Sequence, residues 1–462
     1  MEFLRGTPAG ILCNIANTIL RTSISNEYSM RGFIMKRITL LTLSLLMFVL
    51  CGIAQQSGRE MQKEDRLAWW REARFGMFIH WGPVSLKGTE ISWSRGGERR
   101  GISGKGDIPV EVYDSLYTQF NPVEFSADEW VSIARAAGMK YMVLTAKHCD
   151  GFCLWHSSVD KYSIANTPFK RDVCGELANA AHKAGMRVGW YYSPMDWRDP
   201  DCRTDRNSVY VKRMQGHLRE LLSNYGRIDL LWFDTDGGPA PWDQAATYGL
   251  VRSLQPRLII NNRLDMGSNE DYKAQNIRTN ADYQTPEQRI GAFDNIHPWE
   301  TCMTLGTQWS WKPQDTIKTF EECLRILVQC VAGDGNLLLN VGPMPSGEIE
   351  PRQVEVLRQI GGWLAKYGES IYGTRGGPFR NGAWGGSTTK GNTVYLHILK
   401  WDRDQLKLPP LKARIIKGKA LTGGNVRIEQ TGEATIIRMP VREQNTVNTV
   451  VKVEMEAPVP SH

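Results

Sequence analysis

Short apolar runs alternate with amphipathic stretches between about residues 65 and 370. The apolar runs lie at 75–82, 141–148, 187–193, 228–234, 258–263 and 335–342. The stretches with helical spacing lie at 127–137, 173–184, 208–225, 241–254, 316–331 and 352–367. Short apolar strands that alternate with helices are typical of a parallel sheet with both faces covered. Six or seven such units predict an α/β fold, a (β/α)8-like TIM barrel rather than an open doubly wound sheet.

The pattern changes after the helical stretch that ends near residue 367. Residues 375–458 contain glycine and proline turns between runs of alternating polarity, such as 392–399 and 434–439. That alternation is typical of antiparallel strands with one buried face. The sequence therefore predicts a catalytic barrel over residues 55–372 and a small C-terminal β-sandwich over residues 375–458.

The N-terminal segment has the features of a secretory signal. A basic start at 35–37 is followed by the apolar run 38–49 and then by small residues, which predicts a signal peptide over 35–54. Residues 1–54 are interpreted as an upstream extension plus this signal. We expect an exported protein, periplasmic or secreted, with no stable membrane insertion once the signal is removed. A lipid anchor on Cys51 is less favoured because leucine precedes it.

Composition narrows the range of partners. The formal net charge of +7 is small for 462 residues and is not gathered into a basic run, so no nucleic-acid partner is expected. The 16 tryptophans are numerous, and tryptophan either fills cores or stacks against the C–H faces of sugars. Seven scattered cysteines follow residue 54, an odd number that predicts buried free thiols rather than a disulfide framework.

Polar residues stand at the ends of the predicted strands. They are His80, Lys147, His148, Asp150, Tyr191, Tyr192, Asp234, Asp236 and Arg263. Functional residues of such barrels lie at the carboxyl ends of the strands, where the βα-loops meet. Any one of these side chains could be structural, but their shared position at one end of the barrel indicates a site.

Two reaction classes fit these side chains. Metal-assisted hydrolysis would use His80, His148 and Asp234 as ligands, although the sequence has no paired histidine motif of the H-x-H or H-E-x-x-H type. Glycoside hydrolysis needs two carboxylates and no metal, and the tryptophan-rich loops favour it. A non-catalytic carbohydrate-binding protein on the same barrel is the remaining alternative.

Four motifs resemble one family. The runs 73–82 (ARFGMFIHWG), 141–152 (YMVLTAKHCDGF), 229–234 (DLLWFD) and 335–343 (GNLLLNVGP) are similar to the α-L-fucosidases of glycoside hydrolase family 29. The likeness extends over roughly residues 60–375. It implies an exo-acting hydrolase that removes terminal α-L-fucose from fucosylated oligosaccharides or glycoconjugates by a retaining double displacement. It implies no cofactor and no metal.

The resemblance also assigns roles to residues. The Asp of the W-x-D segment, Asp234, is the implied nucleophile, and Glu287 is the implied acid/base, with Glu300 as the alternative. Each glutamate is interpreted as a loop residue. The implied contacts to fucose, or walls of its pocket, are His80, His148, Tyr191, Trp232, Arg263 and Trp309.

The sequence departs from the family pattern at two places. Cys149 stands where many members have a second histidine, so one hydrogen bond to the sugar is lost or supplied elsewhere. The usual E-W pair is represented by Glu90 and Trp93, with two residues inserted between them. We expect both to contact fucose.

Overall fold

The structure is a computed structural model that describes residues 62–235, 241–265 and 280–459. The predicted signal peptide, Cys51 and Asp236 lie outside the described residues. The chain divides into two compact units, Met1–Ala68 and Trp69–His462. Of the first unit only residues 62–68 are described, and they are helical. Every sheet of the described residues lies in the second unit.

The first sheet of the second unit is parallel and has seven strands. They are β1 Phe75–Ile79, β2 Tyr141–Lys147, β3 Arg187–Tyr192, β4 Leu230–Phe233, β5 Ile259–Ile260, β6 Glu300–Thr304 and β7 Asn336–Val341. Their order is β5-β4-β3-β2-β1-β7-β6, and every pairing is parallel. Almost every strand residue is buried, as expected for strands covered on both faces.

An irregular segment, residues 282–288, lies between the two edge strands of this sheet. Parallel bridges join Tyr283 to Asn261, just after β5, and Glu287 to Cys302 in β6. The backbone N–H of Asp282 donates to Ile260, at the same edge. The segment takes the position of an eighth strand and closes the sheet into a barrel. The predicted (β/α)8-like barrel is thereby confirmed.

The predicted helical stretches form helices on the outside of the barrel, and a short helix at Val110–Ser115, which the sequence did not predict, precedes them. Their bounds are α1 Val110–Ser115, α2 Ala127–Ala136, α3 Val173–Lys183, α4 Asn207–Ser223, α5 Gln244–Leu254, α6 Phe320–Ala332 and α7 Pro351–Tyr367. Side-chain hydrogen bonds cap the N-termini of some of these helices. The Ser126 hydroxyl caps α2 by accepting from the Glu129 amide, and Thr319 and Glu322 form a reciprocal capping box at α6.

One strand was missed from the sequence. Strand β6 begins at Glu300, which was interpreted as a loop residue, and the structure buries it completely. The run Glu300–Thr304 contains a glutamate and two threonines, so it lacks the continuous apolar pattern of the other strands. Its neighbours β7 and the segment 282–288 supply the pairing that makes it a strand.

The C-terminal part consists of antiparallel sheets, which confirms the predicted β-sandwich. The strands are β8 Arg375–Gly376, β9 Gly385–Lys390, β10 Thr393–Ile398, β11 Gln405–Leu408, β12 Ile415–Ala420, β13 Arg427–Gln430, β14 Thr435–Arg438 and β15 Thr449–Met455. They form a five-stranded sheet, β12-β15-β10-β9-β8, and a three-stranded sheet, β11-β14-β13. Leu396, Ile437 and Val453 pack in the core of this part. No helix within the described ranges is both long and apolar enough to cross a membrane.

Candidate active site

A cavity of about 250 Å³ lies at the carboxyl end of the barrel strands. Nine residues expected from the sequence line it: His80, Trp93, His148, Tyr191, Trp232, Asp234, Arg263, Glu287 and Trp309. They come from strands and loops all around the barrel. Parallel strands bring their carboxyl ends to one rim, so side chains far apart in the sequence converge there.

One guanidinium binds both candidate catalytic carboxylates. The Nη1 atom of Arg263 donates to Asp234 at 2.6 Å, and its Nη2 atom donates to Glu287 at 2.8 Å. The Arg263 side chain is only 2% exposed, whereas those of Asp234 and Glu287 are 25% and 27% exposed. The cation is therefore enclosed in the wall, and the two acids face the opening.

Asp234 directly follows β4 and is held on several sides. The Tyr191 hydroxyl donates to its second carboxylate oxygen at 2.8 Å, and the backbone N–H of Asp234 donates to Tyr192 in β3. The pKa of Asp234 is raised above its ordinary value, because burial and the neighbouring Glu287 outweigh the Arg263 charge and the hydrogen bonds from Arg263 and Tyr191, which lower it. These contacts favour the ionised form in a setting that would otherwise disfavour charge.

A column of stacked rings supports the Arg263 cation. The rings of His148 and Tyr191 are parallel within 4° at 5.2 Å, and Tyr191 stacks on Trp232 at 5.6 Å. The Arg263 guanidinium lies 4.4 Å from the centre of the Trp232 ring. Aromatic stacking and a cation–π contact together restrict the rotamers of these residues.

His80 presents a hydrogen-bond acceptor to the cavity. Its Nδ1 atom lies 2.6 Å from Oδ1 of Asn340, whose Nδ2 donates to the carbonyl of Trp309. An amide oxygen can only accept, so Nδ1 carries the proton and Nε2 has the free lone pair. Burial lowers the pKa of His80 to about 3, so the ring is neutral at working pH.

His148 has the opposite tautomer. The Ser92 hydroxyl lies 2.6 Å from its Nδ1 atom and already accepts from the Asp150 amide. Nδ1 of His148 is the acceptor that the Ser92 hydroxyl reaches among the described residues, so Ser92 donates its proton to Nδ1 and the proton of His148 is on Nε2. Burial and the neighbouring His80 and Lys147 lower the pKa of His148, so this ring is also neutral. The pair offers one acceptor and one donor.

Glu287 lies on the segment that closes the barrel, not on a free loop. Its backbone is bridged to Cys302, and Gln288 follows it in the left-handed region at φ 51°. A non-glycine residue in that region is held there by its surroundings. Here the Gln288 amide donates to Cys302 and its side chain donates to Thr304.

Glu300 does not reach the cavity. It is the first residue of β6, two residues before Cys302, and so lies one layer deeper on the same inward face. Its carboxylate accepts from the Trp70 indole at 3.0 Å and from the Tyr141 hydroxyl. Burial raises its pKa to about 7. The structure therefore brings Glu287, and not the alternative Glu300, next to Asp234.

Glu90 lies behind the cavity wall. Its two carboxylate oxygens accept from the backbone N–H groups of Trp309, Ser310 and Ile91. These bonds hold the loop that carries Trp309, which in turn packs against His80 at 4.8 Å. Trp93 lines the cavity at its edge and is 40% exposed.

Other lining residues were not expected as contacts: Phe78, Ile102, Met195, Thr235 and Cys302, together with Cys149. Apolar residues of this kind carry no chemical signal in a sequence. Lys147, which the strand-end pattern selected, is instead buried and bonded to the carbonyls of Ser193 and Met195 and to Asp196. Asp150 accepts from the Tyr113 hydroxyl at 2.7 Å.

The metal-hydrolase alternative lacks a ligand set in the part of the chain that the structure describes. No group of three or more His, Cys, Asp or Glu side chains there could hold a metal ion. The seven described cysteines are all free and buried. What the site does contain is a pair of carboxylates on one cation, beside neutral histidines and aromatic rings. On a closed (β/α)8-like barrel, these features define a glycoside hydrolase.

Comparison with known proteins identifies the family. The family model described as Alpha-L-fucosidase matches residues 54–369. The plasma α-L-fucosidase of Homo sapiens is 33% identical over 366 residues, which cover 72% of this chain and 76% of that protein. The α-L-fucosidase of Dictyostelium discoideum is 29% identical over 374 residues, 73% of this chain and 78% of that protein.

Two solved structures extend the similarity to the fold. α-L-Fucosidase isoenzyme 1 from Paenibacillus thiaminolyticus has a TM-score of 0.75 at 35% identity, covering 86% of this chain and 100% of that one. A trapped covalent intermediate of a GH29 α-L-fucosidase from Bacteroides thetaiotaomicron has a TM-score of 0.72 at 28% identity, covering 86% and 96%. This chain belongs to the α-L-fucosidase family, which confirms the resemblance seen in its sequence motifs.

Proposed function

We propose that this protein hydrolyses terminal α-L-fucose from fucosylated glycans by a retaining double displacement, with Asp234 as nucleophile and Glu287 as acid/base. The observation that carries the proposal is the shared guanidinium of Arg263, which binds both carboxylates within 2.8 Å. Because the carboxyl groups of Asp234 and Glu287 bind the two terminal nitrogens of the same guanidinium, they lie close together. That arrangement suits the retaining separation of about 5–5.5 Å rather than the wider gap that holds a water between them.

In the first step, a carboxylate oxygen of Asp234 attacks C1 of fucose as the C1–O bond to the aglycone breaks. Glu287 transfers its proton to the departing oxygen, and the products are the free aglycone and a fucosyl ester of Asp234. The mechanism needs a singly protonated pair, with the proton on Glu287. The charge of Glu287 raises the pKa of Asp234, so the doubly ionised state of the pair is disfavoured.

In the second step, water attacks C1 from the face that the aglycone has left. Glu287, now ionised, accepts a proton from that water, and the ester bond to Asp234 breaks. Fucose leaves with its original anomeric configuration, and both carboxyl groups return to their starting states. The covalent intermediate trapped in the Bacteroides thetaiotaomicron relative supports this route.

The sugar contacts follow from the polarity of the walls. We assign the Nε2 lone pair of His80 and the Nε2 proton of His148 to two fucose hydroxyls, with Arg263 and Tyr191 close to the reacting end. Trp232 and Trp309 supply apolar surface for the C–H groups and the C6 methyl. Glu90 acts through Trp309, whose backbone it holds.

We further propose the domain limits and the destination of the chain. The barrel occupies residues 55–372 and the sandwich residues 375–458, and residues 1–54 are removed with the signal 35–54. The mature enzyme is periplasmic or secreted, and the lipid-anchored form on Cys51 is less favoured. Expression of the full chain in a bacterial host, followed by N-terminal sequencing of the exported protein, tests the cleavage site. A mature protein that still carries Met35 contradicts it.

The function is tested by turnover and by trapping. The wild-type enzyme should release the chromophore of an aryl α-L-fucoside, and proton NMR should show α-L-fucose as the first product. 2-Deoxy-2-fluoro-fucosyl fluoride should label one peptide, at Asp234. β-Fucose as the first product, or a label elsewhere, contradicts the mechanism. Loss of turnover with a chelator, restored by a divalent metal, would instead favour the metal-hydrolase alternative. Binding of fucosides without turnover would favour a carbohydrate-binding protein.

A further inference from the structure

Trp93 differs from the other aromatic residues of the cavity in its exposure. Phe78, Tyr191 and Trp232 are each about 1% exposed, whereas Trp93 is 40% exposed while still lining the cavity. An exposed indole at the mouth of a pocket gains free energy when a ligand covers its apolar surface. Because Trp93 lies at the edge of the cavity, we expect it to contact the part of the substrate that extends beyond the enclosed end.

The Trp93 ring is braced on two sides by its neighbours. The Arg99 guanidinium lies 5.0 Å from the centre of the Trp93 ring, and the buried ring of Trp197 meets it edge-on at 5.1 Å and 78°. Arg99 also donates to the Trp93 carbonyl at 2.6 Å. We call Trp93, Arg99 and Trp197 the rim cluster. Arg99 also lies 5.3 Å from the centre of the Trp197 ring, so one cation holds both indoles, and the 40% exposed part of Trp93 is the surface available to a ligand.

The loop that carries Trp93 and Arg99 is itself anchored. The backbone N–H of Gly96 donates to Ile108 at 2.7 Å, and that of Ile108 donates to Ser94 at 2.9 Å. These hydrogen bonds join the two ends of the loop. Arg95 forms two hydrogen bonds with Asp114, at 2.7 and 2.8 Å. A ring held by these contacts loses little conformational entropy when a ligand stacks on it.

The rim cluster is also connected to the cavity floor. The backbone N–H of Trp197 donates to the carbonyl of Cys149 at 2.8 Å, and Cys149 lines the cavity together with Met195 and Ile102. This part of the lining is apolar, in contrast to the part formed by Asp234, Arg263 and Glu287. Apolar lining residues that share the cavity with an exposed indole suit the C–H face of a second sugar ring.

We infer that Trp93 is the stacking surface of an aglycone subsite, which binds the neutral pyranose ring from which fucose is cleaved. The inference rests on the proposed function, because it assumes that fucose occupies the enclosed end beside Asp234. It replaces the expectation that Trp93 contacts fucose. Trp93 is then a specificity-determining residue whose effect depends on the leaving group.

The experiment compares substrates with and without an aglycone ring. The disaccharide is the one that the wild type hydrolyses fastest among α1,2-, α1,3-, α1,4- and α1,6-linked fucosides. α-L-Fucosyl fluoride is the second substrate, because its leaving group has no ring to stack. Trp93→Ala should lower kcat/KM for the disaccharide by about 10-fold to 100-fold and leave the value for the fluoride within about 2-fold. Trp93→Phe should recover most of the loss.

The control is Ile416→Ala, which removes a 60% exposed apolar side chain from β12. It should leave both substrates unchanged. Equal losses on the fluoride and the disaccharide in Trp93→Ala, or a weaker inhibition by free L-fucose, would mean that Trp93 contacts fucose and would overturn the inference. Unchanged values on both substrates would overturn it as well. A wild type that hydrolyses neither substrate would contradict the proposed function instead, so the two failures are distinct.

Discussion

The Nη1 atom of Arg263 lies 2.6 Å from a carboxylate oxygen of Asp234, and the guanidinium that makes this contact is buried against the face of Trp232. The proposed nucleophile is therefore held by a cation that cannot turn away into solvent. Because the other nitrogen of Arg263 holds Glu287, a single side chain sets the positions of both proposed catalytic groups.

Replacing Arg263 should impair both catalytic groups at once. Lysine has a single ammonium and cannot donate to two carboxylates in a fixed fork, so Arg263→Lys should lower kcat/KM by about 10²-fold or more. Arg263→Met also removes the charge that lowers the pKa of Asp234. The acidic limb of the pH profile of kcat/KM should then move to higher pH. An unchanged acidic limb in Arg263→Met would contradict this coupling.

Removing the nucleophile should stop turnover without unfolding the protein. Asp234→Asn should lower kcat on an aryl α-L-fucoside by more than about 10³-fold, because a neutral amide cannot form the fucosyl ester. Asp234→Gly with azide should yield β-fucosyl azide, since the small anion enters from the vacated face. Asp243→Asn, at an exposed position after the same strand, is the matched control. Near-wild-type turnover in Asp234→Asn would remove this residue from the mechanism.

The acid/base assignment predicts a dependence on the leaving group. Glu287→Ala should cost about 10²-fold to 10⁴-fold on a natural oligosaccharide, and far less on an aryl fucoside with an acidic phenol, which departs without a proton. Azide should accelerate turnover of the activated fucoside and give α-fucosyl azide, because it replaces the water that Glu287 would activate.

Glu300→Gln is the control for that assignment. Glu300 lies below the cavity floor, bonded to Trp70 and Tyr141, so azide should not rescue this variant and its losses should not depend on the leaving group. If Glu300→Gln shows azide rescue and Glu287→Ala does not, the two roles are reversed.

Glu300 should instead affect the pH dependence of stability. Burial raises its pKa from 4.5 to about 7, so the folded chain binds more protons than the unfolded chain between these values. Stability contributed by this group therefore falls as pH rises through that window and is constant above it. The total loss is about 3 kcal/mol, at about 1.4 kcal/mol for each pH unit. Urea unfolding at pH 5 and pH 8 should show a smaller pH-dependent loss in Glu300→Gln than in the wild type; equal losses would contradict the shift.

The sequence by itself determined the barrel, the sandwich and the position of Asp234, the proposed nucleophile. Strands such as Tyr141–Lys147 and Asn336–Val341 are buried on both faces, so apolar residues are required at nearly every position and the run is visible without a structure. Asp234 directly follows such a run, and the carboxyl end of a barrel strand points to the site. The four family motifs indicated the α-L-fucosidase family.

Only the tertiary structure placed Glu287, and not Glu300, beside Asp234. The segment that carries Glu287 pairs with its neighbours only through isolated bridges. Its sequence has no periodic pattern that would identify it as the segment that closes the barrel. Glu300 begins a strand whose pairing comes from β7 and from that segment. The tautomers of His80 and His148 depend on Asn340 and Ser92, which are 260 and 56 residues away in the sequence. Contacts at such separations leave no local pattern, because they form only when the barrel closes.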